Sequence, residues 1–136
     1  MRFMILVKAS KDSEAGVMPS EEMLTAMADY HEQLAKAGVL LDGNGLHPSS
    51  KAWRFTWSGG KKAYTDGPFT EVKELVAGYT IIQVKSKEEA LEWTKRFPNP
   101  SIGDGEIEVR QMFELEDFTP GEAIDRFREM GVAVKK

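Results

Sequence analysis

The sequence predicts an α+β chain built on a ferredoxin-like β-α-β-β-α-β sheet, with one added β-hairpin and a short C-terminal helix. Three observations carry that prediction. Residues 2–8 and 75–84 are apolar at both strand parities, as strands covered on two sides must be. Two helical stripes with N-capping residues, at about 20–38 and 86–97, separate these from strands of edge character. Between the halves, Trp53-Arg54-Phe55-Thr56-Trp57 alternates and runs into Gly59-Gly60, a two-residue hairpin signal.

Taken in order, Phe3, Ile5 and Val7 form one face of the first strand, with Met4 and Leu6 on the other. A polar loop is expected from Ser10 to Gly16. Ser20 then caps a helix whose first turn carries Glu21 and Glu22 against the helix dipole. Leu24, Met27, His31 and Leu34 make its stripe, and Gly38 closes it. Val39-Leu40-Leu41 begins a second strand, expected to break at Gly43-Asn44-Gly45. The hairpin returns through Lys61 to Thr65, and the next strand runs from Leu75 to Val84. Ser86-Lys87-Glu88-Glu89 reads as a capping box for a helix that buries Ala90, Trp93, Thr94 and Phe97 before Pro98. Ile107, Val109, Phe113 and Leu115 alternate with charged residues in a half-exposed strand. Thr119-Pro120-Gly121-Glu122 reads as a last capping box, opening a helix through Met130 with Ile124 and Phe127 on its apolar side.

Two helices cover only one face of a four-stranded sheet, so its other apolar face needs a cover, and a second subunit is the expected one. Length and composition fit one soluble domain with a true core. The net charge of −4 argues against a nucleic-acid surface, and Lys135 and Lys136 are too few for a polybasic tail. The chain has no cysteine, which removes thiolate chemistry and disulfides. The apolar run near Met1 is too short for a signal peptide and no stretch reaches membrane-spanning length. A cytoplasmic protein without membrane or nucleic-acid partners is expected.

The stretch Asp66-Gly67-Pro68-Phe69-Thr70-Glu71-Val72-Lys73-Glu74 stands between hairpin and core strand. Gly67 supplies backbone freedom, Pro68 fixes φ, Phe69 can plug the turn onto a core, and Thr70 is placed to cap a turn starting at Glu71. On chemistry alone this is a well-made surface turn. Followed by Gly78-Tyr79, it resembles the signature of the DGPF group of YCII-related proteins. The resemblance spans residues 1–116, leaving 117–136 as a C-terminal helical extension. It implies the dimeric α/β-barrel architecture, in which two sheets meet face to face, as in proteins resembling muconolactone isomerase. It implies no common reaction. It does imply a histidine–aspartate active-site pair, with the histidine on a helix that leads into a Gly-Leu-Leu-like segment. Here that segment is Ala37-Gly38-Val39-Leu40-Leu41, so the match falls on His31.

His31 has a structural reading, a hydrogen-bonded residue at the core edge, and a chemical one, an acid or base tunable near neutrality. Asp66 is the second catalytic candidate. Hairpin register places it opposite Trp53, on one face with Phe55, Trp57, Lys62 and Tyr64. Apolar neighbours disfavour a charged carboxylate and turn hydrogen bonds favour it, so two effects oppose there. Trp53, Phe55, Tyr64 and Phe69 are the ligand-binding candidates. Glu71, Lys73 and Glu74 read as a solvated face, or as the lining of a pocket beside Asp66. His47 reads as a solvated loop residue. No metal spacing, P-loop or GxSxG motif occurs, so neither metal nor cofactor is expected.

Two functions follow from this. One is a cofactor-free enzyme that moves protons in an apolar, dimer-associated pocket through His31 and Asp66. The other is a non-catalytic ligand-binding or regulatory accessory module. The resemblance adds that DGPF-type domains occur with extracytoplasmic-function sigma factors, although this chain has no sigma-like helical region. One observation separates the two: His31 facing a carboxylate in a pocket, or His31 tied off by backbone groups.

Overall fold

Seven residues of the N-terminus, Arg2–Lys8, form strand β1 at the centre of the molecule. The computed structural model describes residues 1–134; Lys135 and Lys136 lie outside the described residues. A short helix α1 (Lys11–Glu14) and a long helix α2 (Glu21–Lys36) follow, then β2 (Leu40–Gly45). The hairpin is β3 (Trp53–Ser58) and β4 (Lys61–Asp66). The core resumes with β5 (Val76–Gln83), α3 (Lys87–Lys95) and β6 (Ile107–Gln111), and α4 (Glu122–Met130) ends the chain. The sheet order is β2-β5-β1-β6 with every pair antiparallel, which is the ferredoxin-like arrangement. The two doubly apolar segments are the two inner strands, as their composition requires.

Strand parity assigns the two faces. Phe3 and Ile5 pair with Ile82 and Thr80, and the four point to one side. There Phe3, Ile5 and Ile82 join Tyr30 and Leu34 of α2 and Ala90 of α3 in one buried cluster, with Trp93 and Phe97 against it. Helices α2 and α3 therefore lie on this side. Met4 and Leu6 of β1 and Tyr79 and Ile81 of β5 point the other way and remain half-buried. Asp42 and Asn44 flank them on β2, and Glu108 and Arg110 on β6.

The caps follow the sequence closely. Ser20 accepts from Met23 N–H, and Ser86 from Glu89 N–H. The Glu89 carboxylate reaches back one residue further than a capping box requires, accepting from Lys85 N–H (2.8 Å). Gly38 takes φ +75 after α2, the left-handed geometry a helix end favours.

Five local expectations are corrected. The loop at Ser10–Gly16 contains a helix, because Ser10 and Ser13 form a reciprocal capping box. Gly43-Asn44-Gly45 does not interrupt β2: it pairs with Thr80, Tyr79 and Gly78, and the irregularity falls earlier, between Leu40 and Asp42. Thr70 caps nothing with its side chain; the turn is Val72–Glu74, with Glu71 at its start. The last strand stops at Gln111, leaving Phe113 exposed and Leu115 buried in a separate turn, Leu115–Asp117. Gly121, not Thr119, stands at the start of α4, without a side-chain cap.

The segment after β6 is tied down by charge. Arg2 Nε donates to both carboxylate oxygens of Glu114 (3.0 and 3.2 Å), and its Nη2 donates to the Phe113 carbonyl (3.2 Å). Both side chains are almost wholly buried, at 8% and 11% exposure.

Tyr30, which the stripe reading passed over, ties α2 to α3. Its hydroxyl donates to the Trp93 carbonyl (2.7 Å), and burial pushes the phenol from 10.0 up to about 12, against the opposing pull of the Arg96 charge. The folded chain thus holds a proton that the unfolded chain releases above pH 10. Stability should fall as pH rises through the window from about 10 to about 12, where the folded state binds more protons. Urea midpoints at about pH 9 and about pH 11.5 should show this loss, and Tyr30→Phe should reduce it. An equal loss in both chains would place its origin elsewhere.

Candidate functional site

The signature turn is clasped from three places in the chain. The Gly67–Pro68 peptide is cis, and Gly67 N–H donates to the Ala52 carbonyl (2.9 Å). Ser49, 6% exposed, donates its N–H (3.0 Å) and its hydroxyl to the Glu14 carboxylate. The same hydroxyl accepts from Phe69 N–H (2.9 Å). Phe69 is half-buried beneath the Arg54 guanidinium, 3.6 Å from its ring centroid, and Arg54 lies 3.8 Å from the Glu71 carboxylate. Glu14 and Ser49 were not predicted. The only signal for Glu14 was an acidic residue in a supposed loop.

His31 lies between α2 and β5. Its Nδ1–H donates to the Met27 carbonyl (2.7 Å), one turn back along the helix. In the neutral ring Nε2 is then the acceptor, and the Thr80 hydroxyl donates to it (2.8 Å). Thr80 is 3% exposed, so that hydroxyl belongs to the interior. Tyr30 and Phe97 meet the imidazole edge-on, at 5.6 and 6.2 Å between centroids. Gly43 passes beside Nε2, and a side chain there would come to 3.8 Å. Thr80, a polar residue on the core-facing side of a largely apolar strand, was the available sign of a partner for His31.

The hairpin pairs in the expected register, Trp53 with Asp66, Phe55 with Tyr64 and Ser58 with Lys61. Phe55 and Tyr64 lie with ring centroids 5.4 Å apart, and Lys62 Nζ sits 4.6 Å from the Phe55 centroid. The Tyr64 hydroxyl donates to Asp66, and that hydrogen bond pushes the exposed phenol up from its ordinary range. The four aromatic side chains of the hairpin are open to solvent, from 45% at Phe55 to 71% at Trp57. Arg54 belongs to the opposite hairpin face, so Phe69 docks on the side away from Trp53, Phe55 and Tyr64.

The six predicted site residues thus stand in three settings. Tyr64 and Asp66 meet, beside Trp53 and Phe55; Phe69 is under Arg54; His31 is engaged by Met27 and Thr80. His47 is exposed, as expected of it. A separate open groove of about 740 Å3 lies against the turn, lined by Lys8, Lys11, Glu71, Lys73 and Glu74 among others, and by none of the six. Among the described residues no cluster of three metal-ligating side chains occurs, and no helix is long and apolar enough to cross a membrane.

Sheet order, helix placement and the clasped turn define a small ferredoxin-like α+β protein. The chain belongs to the YCII-related domain family, whose model matches residues 1–116. It is 30% identical over 102 residues to an uncharacterized protein of Rhizobium meliloti, covering 75% of this chain and 80% of that one. A solved structure that it resembles is 5-chloro-2-hydroxyhydroquinone dehydrochlorinase of Burkholderia phenoliruptrix in complex with 2,5-dihydroxybenzoquinone. That similarity has 17% identity and a TM-score of 0.42, over 84% of this chain and 95% of the other.

Proposed function

We propose that the chain is a cytoplasmic homodimer that binds a small organic molecule in a dimer-associated pocket, as a ligand-binding or regulatory accessory module. One observation carries this reading: both ring nitrogens of His31 are engaged by the fold, one by a backbone carbonyl and one by a buried hydroxyl. A general base must offer its lone pair to substrate. Here that lone pair is held by Thr80. The half-buried helix-free face, with Met4, Leu6 and Ile81 at its centre, is the surface the dimer would cover.

The alternative, a cofactor-free enzyme using His31 and Asp66, draws support from the fixed tautomer. With Nδ1 anchored on Met27, Nε2 is the nitrogen a substrate proton would reach if Thr80 turned its hydroxyl away. An unbiased metabolite-binding screen followed by recovery of the ligand separates the two. The expected result is a ligand returned chemically unchanged, bound with similar affinity by His31→Gln. A converted product would overturn the binding reading, provided that His31→Gln still folds and abolishes conversion.

A further inference from the structure

We infer that the β3–β4 hairpin is an intersubunit arm, whose aromatic face docks on the helix-free sheet face of a second copy of this chain. The inference rests on the dimer proposed above and names what each copy contributes to the other.

Among the described residues the hairpin pairs only with itself, as a two-stranded sheet. Such a ribbon is marginal in water unless a face of it is packed. Its Arg54 face is used: the guanidinium stacks on Phe69 and reaches Glu71. Its base is fixed by the Gly67–Ala52 hydrogen bond. These contacts set the direction of the arm and leave its other face outward. That face carries Trp53 at 61% exposure, Phe55 at 45%, Trp57 at 71% and Tyr64 at 55%. Aromatic side chains of this size, grouped and open to water, mark a docking surface and supply most binding energy where they are found.

Charge selects the occupant. Residues 53–66 hold three cations (Arg54, Lys61, Lys62) and one carboxylate (Asp66), net +2, within a chain of net −4, so the remainder stands at −6. The arm is a cationic projection from an acidic body. The aromatic face itself carries Lys62, poised over the Phe55 and Trp57 rings at 4.6 and 5.5 Å, and at its base Asp66, which accepts from the Tyr64 hydroxyl. The helix-free sheet face offers the complement. Tyr79 and Ile81 give it a half-buried apolar centre, and Asp42 stands at its β2 rim, accepting from the Tyr79 hydroxyl (3.2 Å). A second copy presents both halves of this match, so the contact is made twice across a two-fold axis. It is also continuous with the face-to-face sheet contact proposed above.

The absence of cysteine from the sequence makes the test direct. Trp57→Cys and Tyr79→Cys are prepared separately, checked for folding by circular dichroism, mixed and mildly oxidised. The expected result is a disulfide-linked dimer in the mixture, several-fold above either variant alone. No link, or self-linking of Trp57→Cys alone to the same extent, overturns the proposal. In parallel, sedimentation equilibrium should show Trp57→Ser and Lys62→Glu weakening the dimer by at least about tenfold, with Asp42→Lys restoring part of the Lys62→Glu loss. If both variants dimerise as tightly as the natural chain, the arm is excluded while the dimer stands. A natural chain that is monomeric at tens of micromolar removes both, as does an arm that binds only an unrelated acidic protein.

Discussion

Gly67→Ala should cost about 3 kcal/mol or more of folding stability, the upper end for an overpacked site. A Cβ built on Gly67 lies 1.8 Å from the Ser49 carbonyl oxygen, 2.8 Å from its carbon and 3.2 Å from the Ala52 oxygen. All three are backbone atoms, so no side-chain rotation relieves the overlap. Either the signature turn or the Ser49–Lys51 turn must move. Moving them breaks the Gly67–Ala52 and Phe69–Ser49 hydrogen bonds and takes Phe69 from under Arg54. Against a typical total of about 5–15 kcal/mol this is a large fraction. Gly103→Ala is the control, since nothing lies within 4 Å of its Cβ and its φ is not left-handed. Urea unfolding should separate the two plainly, and equal midpoints would show that the turn has slack the geometry does not reveal.

Cutting the Arg2–Glu114 pair should be at least as damaging. Arg2→Ala or Glu114→Ala is expected to cost about 3–5 kcal/mol, because the survivor is an uncompensated charge in a dry site. Glu114→Ala leaves the Arg2 Nε–H without its carboxylate, though Nη2 keeps the Phe113 carbonyl. Arg2→Ala leaves Glu114 buried with no counter-charge. Removing both is a different experiment. Arg2→Met with Glu114→Leu fills the volume without charge, and should return to within about 1–2 kcal/mol of the natural chain. A double-mutant cycle in guanidinium would show this non-additivity; additive losses would mean that the two residues act separately.

Much of the fold was legible because its determinants are local. Alternation in β1 and β5, Ser20 and Ser86 before helical stripes, and Gly59-Gly60 between aromatic runs each fix a backbone choice within a few residues. Hairpin register followed from the turn alone, down to Trp53 opposite Asp66. What escaped was set by distant partners. The Gly43-Asn44-Gly45 run is poor strand sequence, held extended by β5, and Glu14, at the end of α1, is held by Ser49, 35 positions on. The site was less legible for the same reason. Nothing near His31 in sequence announces Thr80, 49 positions away, and the hairpin's charge–aromatic face reads alike whether it lines a pocket or meets another chain.

The placement of β1 has a consequence for biosynthesis. β1 is an inner strand made well before its partners, since β5 and β6 begin only at residues 76 and 107. At common elongation rates, about 5–20 s pass between the appearance of Phe3-Met4-Ile5-Leu6-Val7 and that of its last partner strand. Helix α2 forms early and can shield one side of this segment, but its edges stay unpaired until β5 and then β6 have been made. The nascent chain is therefore most exposed to aggregation and most dependent on chaperones before β6 emerges. Ribosome-bound chains ending near residue 100 should be markedly more protease-sensitive at β1 than those extended past residue 111 by a linker long enough to clear the exit tunnel.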